Sequence, residues 1–166
     1  MNKKILLTVL ALAVVLLATP YISMAHAKPP TTVNGFITTG PEVSVMANRG
    51  KSDNAVLTFT PFIETWQGDI SGAVSGVSVW EFHGNPVTST DWTINIHEKF
   101  TFSDAMYDGK SGTLSMELNL VASITGGTGH WTIIGGTGEL ANLHGHGTIS
   151  LSTFPYPYTG QVHFSP

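Results

Sequence analysis

Apolar and polar residues alternate with period two along most of this chain. The clearest stretch runs from Thr113 to Asn119 (TLSMELN): Leu114, Met116 and Leu118 share one face, and Thr113, Ser115, Glu117 and Asn119 share the other. Successive strand side chains point to opposite faces, so this pattern predicts a half-buried β-strand. Similar segments occur at Ala55–Phe59, Val74–Phe82, Trp92–Ile96, Glu98–Phe102, Trp131–Ile134, Thr148–Leu151 and Gly160–Phe164. Turn residues separate them: Gly84-Asn85-Pro86, Asp108-Gly109-Lys110, Gly126–Gly129 and Gly135–Gly138. Asp-Gly between alternating runs is a strong hairpin signal. The pattern predicts seven to nine strands and an all-β sandwich or barrel. Phe154-Pro155-Tyr156-Pro157-Tyr158 breaks it. Two prolines so close cannot both donate to a central ladder, which predicts a rigid loop or edge segment.

The first residues differ from the rest. Met1–Lys4 is short and positive, Ile5–Leu17 is apolar apart from Thr8, and Ala25-His26-Ala27 is a small-residue cleavage site. This is the layout of a secretory signal peptide. Thr19, Pro20 and Ser23 interrupt the run before it reaches the roughly 20 apolar residues of a membrane span. The expected organisation is a signal peptide over 1–27, an exposed leader over 28–32 and one β-domain over 33–166. The mature chain would be secreted or extracytoplasmic, with no stable membrane anchor.

Composition narrows the function. The chain has no cysteine, so its stability rests on packing and backbone ladders rather than on disulfides. Without Lys3 and Lys4, five basic residues face eleven acidic ones, a net charge of −6. Nucleic-acid binding needs a basic footprint, and none is present.

From Trp131 to His146 (WTIIGGTGELANLHGH) the sequence resembles the allene oxide cyclase-like barrel group, which includes the plant dirigent proteins. It looks closest to a prokaryotic domain-of-unknown-function family on that barrel. Gly68–Gly72 and Asp108–Leu114 also look like turns of that family. His144 and His146, and the added glycine turn at Gly126–Gly129, depart from its pattern. The resemblance implies an eight-stranded antiparallel barrel whose lumen can hold an apolar ligand. It implies no cofactor, and it leaves a homo-oligomer open.

Three glutamates alternate with apolar neighbours: Glu64 with Phe62 and Trp66, Glu81 with Val77 and Val79, Glu98 with Phe100 and Phe102. An apolar pocket disfavours a charged carboxylate and turns it into an acid or base near neutral pH. Glu64, Glu81 and Glu98 are therefore the candidate catalytic residues, unless they reach solvent at strand ends or the apolar face is the outer one. Trp66, Trp80 and Trp131 are candidate ligand-lining residues, with core packing as the alternative. His144 and His146 could share a metal ion, but no spacing supplies the further ligands, and no metal is expected. The Gly-Gly-Thr-Gly segments lack the Lys-Ser/Thr of a phosphate loop. No Gly-x-Ser-x-Gly elbow is present. The expected roles are binding of a small apolar molecule, a cofactor-free cyclase or isomerase using a lumen glutamate, or a structural module with a filled lumen.

Overall fold

A computed structural model describes residues 29–39, 54–84 and 90–166, and the backbone of 45–49. The signal segment and its cleavage site lie outside the described residues. The described residues form nine strands in order: β1 (Thr31–Thr39), β2 (Val45–Arg49), β3 (Val56–Gly68), β4 (Ile70–His83), β5 (Thr93–Tyr107), β6 (Lys110–Ser123), β7 (Gly126–Gly136), β8 (Leu143–Ser150) and β9 (Tyr156–Phe164). A 3-10 turn, Gly138–Leu140, joins β7 to β8. Because β1 begins at Thr31, the last two residues of the expected leader belong to the sheet.

The strands pair in the order β1-β9-β8-β7-β6-β5-β4-β3, and β1 pairs again with β3. Every pairing is antiparallel, so eight strands close into a barrel. β2 pairs with the first residues of β3 and extends the edge where β1 leaves off. Closure removes the free edges that an open sheet would present.

The predicted hairpin at Asp108-Gly109 is present, and both residues have positive φ, 51° and 71°. A two-residue turn of this hand matches the twist of the flanking strands. The two segments expected at Trp92–Ile96 and Glu98–Phe102 form one strand, β5, since the alternation continues unbroken through His97. Pro157 lies inside β9, opposite Phe36 of β1. The β8 ladder reaches only as far as Tyr158, so Pro157 faces no donor-seeking neighbour on that side. The first Gly-Gly-Thr-Gly segment is strand rather than turn. Gly127 and Gly129 lie in β7, where a Cβ would strike the backbone of β6.

The barrel interior is the core. Trp66, Phe102, Leu114, Met116, Leu118, Trp131, Tyr158 and Val162 are fully buried. Leu140 of the 3-10 turn and Leu143 close one end beneath them. At the other end, which carries the β4–β5, β6–β7 and β8–β9 connections, Phe59, Trp80, Phe82, Trp92, Leu151 and Tyr156 are half-buried against the core. Among the described residues, no helix is long and apolar enough to cross a membrane.

Candidate functional site

The barrel's alternation brings two carboxyl groups inside. On β3, Glu64 lies between inward-facing Phe62 and Trp66. On β5, Glu98 lies between Ile96 and Phe100 and is 8% exposed. Glu98 sits in a register row with Ser78 of β4, Leu118 of β6 and Trp131 of β7. Ser78, 2% exposed, donates its hydroxyl to Glu98 Oε1 at 2.8 Å. The Trp80 indole in turn donates to Ser78 Oγ at 2.8 Å. The result is a relay from indole to hydroxyl to carboxyl, which fixes one oxygen of Glu98 and leaves the other free.

That second oxygen, Glu98 Oε2, is shielded from solvent and has no hydrogen-bond partner, as is Glu64 Oε2. Such groups destabilise a fold by about 1–3 kcal/mol each when left unpaired. The two acids also act on each other. Burial, and then the charge of Glu98, hold the Glu64 carboxyl well above its usual range; the nearby Trp66 indole pulls the other way. The Trp66 Nε1 proton nonetheless completes no hydrogen bond. Burial pushes Glu98 up to about 7, against the opposing Ser78 hydrogen bond. Burial therefore favours the protonated form of both acids.

Glu81 is not part of this site. Ser78, Trp80 and Phe82 take the inner face of β4, which sends Val77, Val79 and Glu81 outward. The larger aromatic side chains decide the face, since burying indole and phenyl rings removes more apolar surface than burying two valines. The tryptophans also separate. Trp80 is half-buried beside the acids and takes part in the relay. Trp66 is buried next to Glu64 and within 5.9 Å, centroid to centroid, of Phe100. Trp131 is packed against Gly147 and Gly160, where any Cβ would strike its ring. It fills the core rather than lining an opening.

Ser78 was legible as the polar residue on the Trp80 face, but only once that face is recognised as the inner one. Tyr158 carries another interaction with no sequence signal. Its hydroxyl donates to the Ile70 carbonyl at 2.7 Å and accepts from the Ile70 N–H at 2.9 Å. The ring reaches β4 by crossing Gly35, where a Cβ would collide with it. Of the proline-flanked aromatics, Tyr156 and Tyr158 turn inward while Phe154 is 64% exposed. His144 and His163 stack across β8 and β9 at 5.6 Å on the outer surface. Among the described residues, no group of three or more His, Cys, Asp or Glu could hold a metal ion. An outer groove of about 690 Å³ is lined by residues including Asn34, Phe36, His130 and Thr148, with no carboxylate among its walls.

No family model and no curated protein matches this sequence. The fold is similar to the crystal structure of a protein of unknown function from the DUF3224 family of Shewanella oneidensis. The TM-score is 0.63 at 16% identity, over 82% of this chain and 98% of that one. At that identity the likeness shows a shared fold alone.

Proposed function

We propose that this chain is an exported β-barrel that binds a small, largely apolar molecule at the acidic end of its lumen. The observation that carries the reading is the pair of buried, unpartnered carboxyl oxygens on Glu64 and Glu98, set among Phe62, Trp66, Trp80 and Phe100. Ligand sites are mostly apolar, with a few polar groups that fix orientation, and this arrangement has that composition. The half-buried aromatics at the same end supply the apolar approach. The signal-like N-terminus supports export, and the resemblance to the allene oxide cyclase-like barrels supports a lumen site. Nile red and 2-phenylethanol should each bind saturably to the chain purified from a secreting host, and NMR shifts should concentrate on Trp80, Ser78 and Glu98. Failure of both probes to bind would leave a structural role.

A second reading is favoured by the Trp80–Ser78–Glu98 relay, which holds a carboxyl that ionises near 7. Such a group suits a cofactor-free isomerase, since proton transfer works best near the operating pH. In D2O, the chain should then speed α-proton exchange of 4-phenyl-2-butanone, and Glu98→Gln should abolish that acceleration. Exchange no faster than in buffer would leave binding alone.

A further inference from the structure

The two acids are more than a polar anchor. They lie inside a barrel, and among the described side chains no cation stands beside them. Among the described side chains the cationic ones are Lys99 and Lys110. Lys99 points outward and pairs with Glu117 at 3.0 Å. Lys110 sits over the Phe164 ring at the closed end. Glu98 meets β4 through Ser78, which also takes the Trp80 indole, stands in register with Leu118 of β6, and acts by its charge on Glu64 of β3. Glu64 is the one titratable group among these neighbours. His97 and Lys99 flank Glu98 in sequence but alternate to the outer face. Tyr158 is committed to Ile70.

Aromatic rings occupy the places around the acids. Phe62 meets Phe100 edge-on at 5.8 Å, and Trp66 lies 5.9 Å from Phe100. Phe59 lies 4.9 Å from Trp80, at the outer limit of the group. Carboxylates attract a cation by charge, and aromatic faces attract it through their quadrupole, more strongly when water is excluded. The unpartnered Trp66 N–H, on a side chain that is 1% exposed, faces the Glu64 carboxyl and favours its ionised form. A neutral ligand gives the pair no reason to ionise. A bound ammonium ion would give it one.

We propose that the ligand of this site is a small organic ammonium ion, held by Glu64 and Glu98 and walled by Phe62, Trp66, Trp80 and Phe100. This rests on the lumen-binding reading above and names its ligand class. Binding an alkylammonium draws protons off the acids, so affinity rises with pH through the range where Glu98 ionises, about 7. An alkylamine, with a pKa of roughly 10, stays protonated throughout that range.

The matched probes are 2-phenylethylamine and 2-phenylethanol, titrated calorimetrically against the purified chain. At pH 8 the amine should bind about tenfold tighter or more. At pH 5.5 the two affinities should converge. The amine's heat of binding should also depend on the buffer, because protons are released. Glu98→Gln should cut the amine preference over the alcohol to about twofold or less. If that variant does not fold, the side-chain carboxyl 13C shifts of the natural chain decide: the amine, not the alcohol, should move Glu98 to its ionised position at pH 7. Equal affinities at pH 8 overturn the ammonium proposal and leave lumen binding standing. No binding by either probe overturns both.

Discussion

The two walls of the barrel interior solve opposite problems. The β7-β8-β9-β1 wall is lined with glycine at positions 129, 145, 147, 160 and 35, and large side chains lie flat against it. Trp131 rests on Gly147 and Gly160, and Tyr158 crosses Gly35. The β3-β4-β5 wall carries Glu64, Ser78 and Glu98 among aromatic rings, with two carboxyl oxygens lacking partners. One wall removes empty space; the other keeps polar groups facing inward. Both follow from the same strand alternation. The difference lies in what stands opposite: a missing side chain on one wall, an acid on the other.

Cutting one indole from each wall tests that contrast most strongly. Trp131 is fully buried, so Trp131→Ala should lower stability by about 3–5 kcal/mol, since the glycine seat beneath it cannot collapse into the void. Trp80 is half-buried at the acidic end, and Trp80→Ala should lose roughly 1–2 kcal/mol. Urea unfolding of the two variants gives the comparison. Losses of equal size would mean that the acidic wall is packed as tightly as the glycine wall.

Much of this was legible in the sequence. The alternation at Thr113–Asn119 and the Asp108-Gly109 turn specified strands and a hairpin, because strand period and turn geometry are local properties. Glu64 and Glu98 could be placed inside because aromatic residues flank both on the same parity. Glu81 could not, because β4 is apolar on both parities and only tertiary packing chooses between Val77-Val79 and Trp80-Phe82. The Tyr158–Ile70 bond joins residues 88 apart in sequence, and no local pattern encodes such a distance. Gly129 was likewise read as part of a turn, since glycine serves both as a turn residue and as space for a neighbour's side chain.

Proton linkage separates the walls a second way. Glu98 keeps its proton up to about 7 in the folded barrel, against a usual value of 4.5. Between those values the folded chain holds a proton that the unfolded chain has released. Stability should therefore be greatest at mildly acidic pH and fall as pH rises through this window. The gap corresponds to about 3 kcal/mol, and the raised Glu64 carboxyl acts in the same direction. Glu98→Gln should flatten the profile over the window, because an amide cannot titrate. Urea midpoints measured from pH 5 to pH 8 report this directly, and a natural chain whose stability rises across that range would show that the acids are solvated.

The most local expected effect lies on the glycine wall. Tyr158→Phe keeps the ring on Gly35 and removes only the hydroxyl, so packing is nearly unchanged. What it leaves behind is the Ile70 N–H and carbonyl, both deprived of the partner they share. Ile70 is fully buried, so water cannot readily replace that partner. The loss should be about 1–3 kcal/mol, below that of Trp131→Ala, and without its change in void volume. Burial, as the leading cause, pushes the hydroxyl's ionisation up to about 12, so it stays protonated and bonded across the pH range of the previous experiment. The Tyr158→Phe deficit should accordingly be the same at pH 5 and pH 8, while the Glu98 contribution changes. Amide exchange at Ile70 should quicken in the variant by more than global stability explains, because β4 loses its tie to β9 at its first residue. An unchanged exchange rate there would mean that the β3–β4 turn holds Ile70 without help from across the barrel.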